Sequence, residues 1–133
     1  MLTEEQISKG KAQTTYSLKE GPHHEHDDCI RLAYEWLDAQ TKLEHPNRRR
    51  TWALKHIIER WAGRYVSTTD VDVAAELHPD IIGTYPHFNI SSKLIFPNER
   101  RLLDIGEAGK HPHYREDYLD RERNALYGSR KEP

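Results

Sequence analysis

Six consecutive residues, His23-His24-Glu25-His26-Asp27-Asp28, carry side chains that can all bind a divalent metal ion. A second short run, His111-Pro112-His113, makes a site assembled from two segments conceivable. Such a site would support a metal-dependent enzyme, with His24, His26 and Asp28 as ligand candidates. Spacing favours a plainer reading. Adjacent residues of a tight segment rarely converge on one ion, and the one-turn separation of H-E-x-x-H is absent. A polar loop leading into an acidic helix start accounts for the same residues, with no metal or other cofactor. His26 would then tune local charge around pH 6–7.

Other catalytic constellations are missing. Cys29 falls on an apolar helical seam, where a thiol is inert packing. As the single cysteine it excludes a disulfide framework and a Cys-based zinc site. The chain has no G-x-S-x-G, no P-loop and no Gly-rich dinucleotide fingerprint. What remains is binding chemistry. Arg48, Arg49 and Arg50 place three cations at an expected helix start, where they oppose the helix dipole. Contact with phosphate is one use for them, and pairing with the acidic N-terminal segment is another.

The elements that must position these residues follow from periodicity. Thr3 and Gln6 fit a capping box, so a short helix over 4–9 is expected, stopped by Gly10 within an arm of residues 1–22. Cys29, Leu32, Trp36, Ala39 and Leu43 form a seam, widened by Ile30, Ala33 and Leu37, in a helix over 27–44. Leu54, Ile57, Ile58, Trp61, Ala62 and Tyr65 make the buried stripe of a helix over 48–65. A third, short helix over 69–78 is expected, capped by Thr69, with Asp70 and Asp72 in its first turn, and ended by Pro79. A fourth over 87–96 turns Ile90 and Leu94 inward, with Pro97 ending or kinking it. Leu102, Leu103 and Ile105 read as a strand, and 107–110 as its turn. A charged helix over 114–127 stops at Gly128, in a C-terminal segment of residues 113–133. Residues 23–112 form the globular domain between arm and tail.

Composition bounds the function. The 133 residues are one domain's worth, 35% hydrophobic and 32% charged. A net charge of −2 argues against a general nucleic-acid coat protein, but the charge is blocked along the chain. Residues 47–66 sum to about +5 and 84–115 to about +2, separated by an acidic 67–83 at about −4. A local basic face is compatible with that pattern. No apolar run approaches the roughly 20 residues of a membrane span, and the start lacks the features of a signal peptide. A cytoplasmic protein without membrane contact is the expectation.

The order helix, capped short helix, connection, second short helix, strand and turn resembles a winged helix-turn-helix domain. STTDVDVAAEL at 67–77 resembles that family's first motif helix. NISSKL at 89–94 resembles its recognition helix, and RRLLDIGEAGK at 100–110 the strand and tip of its wing. The similarity covers roughly residues 50–110 and rests on pattern. It implies a mainly α fold: a winged helix-turn-helix core with an extra N-terminal helix and a short β-hairpin wing. It further implies double-stranded DNA as partner, read by helix 87–96 and a wing near 104–110. Asn89 would pair with adenine, Ser91 and Ser92 would donate or accept, and Lys93 would reach guanine or phosphate. His87, Arg100 and Lys110 would approach the backbone, alongside Arg48, Arg49 and Arg50. Ser91, Ser92 and Lys93 equally suit an ordinary solvated face.

The leading expectation is a non-catalytic DNA-binding protein, a transcription regulator or a mobile-element or phage accessory factor. Helix 27–44 would pair two copies as a homodimer matching half-sites, unless its seam packs within one chain. Low net charge, the acidic 67–83 block and Pro97 favour a second expectation. There the chain is a protein-interaction module, a regulator or inhibitor on a degenerate winged-helix scaffold. The metal-dependent enzyme is a third.

Overall fold

The computed structural model describes residues 1–14, 26–49, 53–116 and 120–133. Helix α1 (Glu4–Gln13) opens with the expected capping box, Gln6 N–H donating to Thr3 Oγ1 at 3.2 Å and Thr3 N–H to Gln6 Oε1 at 2.8 Å. The expected stop at Gly10 does not occur. Gly10 sits inside the helix, where a Cβ would come within 2.9 Å of the Leu77 side chain. Its small size lets α1 touch the fourth helix, and Ile7 is buried at the same contact face.

Helix α2 (Asp27–Asp38) begins at His26, whose ring Nδ1 accepts the Asp28 N–H at 3.0 Å. The helix is shorter than the 27–44 read from periodicity. Beyond Asp38, residues with apolar spacing spend their backbone groups across the chain. Leu43 N–H donates to Asn89 O, Asn47 N–H to Phe88 O, and Ser91 N–H to Thr41 O. Gln40 fixes the exit: its amide donates to Trp36 O and Ile95 O and accepts the Ile95 N–H. The seam of Cys29, Leu32 and Trp36 is fully buried within the chain, against the helices that follow. The surface expected to pair two copies is therefore covered internally, and Leu43 lies outside the helix.

Helix α3 (Leu54–Ala62) buries Leu54, Ile57, Ile58, Trp61 and Ala62, as its stripe predicts. It starts six residues later than the expected Arg48, so the arginines that oppose a helix dipole do not stand on its first turn. Gly63 ends it in the left-handed region at φ +65°, and its amide returns to Glu59 O. Helix α4 (Thr68–Leu77) is capped by Ser67 and not by Thr69, because Ser67 and Asp70 form a reciprocal capping box. Val71, Val73, Ala74 and Ala75 are buried, and α4 packs against α1, α2 and α3.

The stretch after α4 departs from the expectation. No helix spans 87–96. Strand β1 (Gly83–Thr84) pairs antiparallel with β2 (His87–Phe88), Gly83 opposite Phe88 and Thr84 opposite His87. Downstream, backbone donors find distant partners: Asn89 N–H bonds Ile82 O, and Phe96 N–H bonds Arg130 O. Local chemistry agrees. Asn and Ser side chains compete with helical backbone bonds, and Pro97 biases Phe96 towards an extended form. Lys93 N–H duly donates to Ser91 Oγ.

The expected wing is also absent. Asn98 caps a 3-10 turn over Glu99–Leu102, its Oδ1 accepting the Arg100 N–H at 2.9 Å. Turns then run to 110, with Ile105 buried and Leu103 exposed, a spacing that suits turns better than a strand. The 109–111 backbone is tied to the end of α3, through Gly109 N–H to Ala62 O and His111 N–H to Gly63 O. Helices α5 (His113–Glu116) and α6 (Asp120–Tyr127) follow, and Gly128 takes φ +58° after α6 as expected of a C-terminal stop. Leu2, Ile7 and Tyr127 join the same buried cluster as α2, α3 and α4, so the described parts of arm and tail share the central core. The result is a mainly helical protein with one small antiparallel sheet among its described residues.

Candidate functional site

The departure of the chain from helix at 39–49 and its irregular path at 89–96 bring two of the basic segments together. Asn47 makes the junction. Its Nδ2 donates to Ile90 O at 3.0 Å and to Ser92 Oγ at 2.9 Å, while its Oδ1 accepts the Arg49 N–H at 3.1 Å. That Asx turn sets Arg48 and Arg49 beside Ser91, Ser92 and Lys93. Together with Leu43 and Pro46 they line an open groove of about 590 Å³.

Charge pairing distinguishes these cations from several others in the fold: Lys55 pairs with Glu59, Arg64 with Glu107, Arg115 with Glu99, and Arg101 with Glu35, Asp38 and Glu132. Among the described residues Arg48, Arg49 and Lys93 form no ion pair, and all three are exposed. Glu44 supplies the acidic charge on the rim. Exposed cations held near one another, in excess of the acid beside them, attract a polyanion. The Ser91 and Ser92 hydroxyls add hydrogen-bonding capacity between them.

The other described site residues do not line the groove. Asn89 is buried, and its side chain is a structural bracket. Oδ1 accepts the Ile82 N–H at 2.8 Å, and Nδ2 donates to Leu43 O and Asp80 O, each at 2.9 Å. Both amide hydrogens and the oxygen are engaged internally, so the side chain is not presented as a base reader. His87 is half-buried on β2. Arg100 stands exposed on the 3-10 turn, and Lys110 lies 3.7 Å from Glu107. Arg50 falls outside the described residues. Sequence reading missed Leu43, Pro46 and above all Asn47. The turn chemistry of the Pro46-Asn47 pair organises the groove.

Of the metal candidates, His24 lies outside the described residues. His26 caps α2, and Asp28 bonds Arg31 at 2.5 Å and the Glu107 N–H at 3.2 Å. Among the described residues no three His, Cys, Asp or Glu side chains converge on a common point. Cys29 is buried and its thiol donates to Tyr65 O at 3.3 Å, a packing role.

Two other titratable groupings are structural in form. Buried Glu59 accepts from Lys55 at 2.8 Å and from the Val66 N–H at 3.3 Å, with His56 Nδ1 3.1 Å away. Asp72 and Glu76 sit one turn apart on α4 and share a hydrogen bond; burial first, and then Glu76, push the Asp72 carboxyl up to about 6.

No family model matches the sequence, and no curated protein or solved structure matches it. Among the described residues no helix is long and apolar enough to cross a membrane.

Proposed function

We propose that this chain is a non-catalytic nucleic-acid-binding protein that engages the phosphate backbone of duplex DNA, as a regulator or an accessory factor. One observation carries the reading: Arg48, Arg49 and Lys93, without ion pairs among the described residues, meet across a groove that also presents Ser91 and Ser92. A recognition helix and a wing form no part of the proposal. Phosphate contact orients a protein on DNA and carries no sequence information by itself. Binding is therefore expected to be weakly selective and strongly salt-dependent.

Fluorescence anisotropy with a labelled random-sequence duplex tests it. Three phosphates neutralised give a log–log salt slope of about −3, so affinity falls about 40-fold between 50 and 200 mM salt. The Arg48→Gln, Arg49→Gln, Lys93→Gln triple variant is expected to abolish both affinity and slope. Absence of binding at about 50 mM salt, or equal binding by the variant, overturns the proposal.

A second reading, a protein-interaction module, is favoured by Leu43, which stays 40% exposed in the same groove. A partner with an acidic, apolar segment would suit it, and duplex binding would then be absent.

A further inference from the structure

A second groove lies away from the first, between α6 and the two segments 96–99 and 130–132, with a volume of about 460 Å³. That volume falls within the range of small-molecule sites. Its construction begins with the C-terminal strand-like pairing. Phe96 N–H donates to Arg130 O, and Glu132 N–H to Phe96 O. The Phe96 ring is thereby set edge-on to Tyr127, with centroids 5.1 Å apart at 88°. Tyr127 is buried, and its hydroxyl accepts the Trp36 Nε1–H at 3.0 Å, so the aromatic floor is anchored to the core.

Cations line this floor. The Arg123 guanidinium lies 5.5 Å from the centre of the Phe96 ring. Arg130 is held by two main-chain carbonyls, Leu94 O at 2.9 Å and Leu126 O at 3.3 Å. Neither Arg130 nor Lys131 forms an ion pair among the described residues. The two lining carboxylates are engaged by cations outside the groove. Glu132 sits in the fork of Arg101, at 2.7 and 2.6 Å, and Glu99 accepts from Arg115. Acid on this rim is thus neutralised from behind, while positive charge on it is left over.

We infer that this groove binds a small planar aromatic anion, of the size and chemistry of a mononucleotide. Its ring would lie against the Phe96–Arg123 face, and its phosphate would be taken by Lys131 and Arg130. A planar ring matches a floor built from an aromatic edge and a flat guanidinium. An anion supplies the charge that Arg130 and Lys131 lack. The site is independent of the Arg48–Lys93 groove, so either can fail alone.

Isothermal titration calorimetry of the full chain with AMP at low salt reads it, with inorganic phosphate as the ringless control. An open groove of this kind gives a dissociation constant of about 10⁻⁴ M. Lys131→Gln lies at the surface, leaves the core intact, and is expected to weaken AMP about tenfold. Adding Arg123→Gln weakens it further, while the Arg48, Arg49, Lys93 triple variant binds AMP as the parent does. Amide shifts on AMP addition should centre on 96–99 and 124–132. No heat with AMP, phosphate binding as tightly as AMP, equal affinity in Lys131→Gln, or shifts confined elsewhere would each overturn the inference.

Discussion

Replacing Asn89 by alanine separates a structural bracket from a base-reading residue. The substitution removes three hydrogen bonds at once, from Ile82 N–H and to the carbonyls of Leu43 and Asp80. Each contributes about 1 kcal/mol net, and more where the abandoned partner stays dry. Here the three partners belong to exposed residues, and water recovers part of the loss. The expected cost is therefore about 2–3 kcal/mol, below the cost at a sealed site. In a chain of this size that lowers Tm by about 10 °C. Urea unfolding followed by the emission of buried Trp36 and Trp61 measures it directly. Asn89→Asp is expected to cost at least as much near pH 7, because it keeps the acceptor for Ile82 but turns a carboxylate towards two carbonyls. A loss below about 0.5 kcal/mol for Asn89→Ala, accompanied by altered DNA selectivity, would refute the bracket and restore the base-reading role.

Other outcomes follow from the same structure. Arg101→Met is expected to destabilise by about 1–2 kcal/mol at pH 7, since Arg101 binds Glu35, Asp38 and Glu132 with its side chain 19% exposed. Hydrogen bonding from Arg101 holds the Glu132 carboxyl below its usual range, so this stability is present above the ordinary carboxylate range and is lost as pH falls through the lowered value. Acid titration should thus show a shallower loss in the variant, and parallel curves would contradict the assignment. Asp72 has the opposite sign: with its carboxyl pushed up to about 6, stability falls as pH rises from the unfolded carboxylate value through that point. Asp72→Asn should gain about 1 kcal/mol at pH 7 and nothing at pH 4, and an unchanged pH profile counts against the shared proton. Gly10→Ala would stabilise an isolated helix by about 1 kcal/mol, yet a Cβ within 3.0 Å of Leu77 Cγ and Cδ2 reverses the sign. A stabilised variant in thermal melts would mean that α1 does not sit on α4 as described.

Legibility in the sequence tracked the range of the forces involved. The α3 stripe, the Thr3–Gln6 capping box and the Gly128 stop are set by neighbours within four residues, and each is found. The 87–96 helix failed for the complementary reason. Its apolar spacing is real, since Ile90 and Leu94 are buried, but its backbone groups are satisfied by Ile82 across the hairpin and by Thr41 and Arg130, far away in the chain. No local pattern carries that information. The arginines gave a partial signal: three cations at a helix start were a local conflict, and α3 avoids it by starting at Leu54. Arg48, Arg49, Ser91, Ser92 and Lys93 were all named from sequence, yet what gathers them is Asn47, whose role depends on a partner 45 residues on.

The carboxamides of Gln40, Asn47, Asn89 and Asn98 stand in for regular ladder bonds across the irregular layer. This has a kinetic meaning. Gln40 reaches 55 residues to Ile95, and Asn89 reaches 46 to Leu43. Such contacts close long loops and form after the locally specified helices. The basic groove belongs to that late layer, so a molecule with its helices already in place would still lack its candidate site. In native-state hydrogen exchange the amides of Leu43, Asn47 and Ser91 should open together, at a lower free energy than those of α2 and α3.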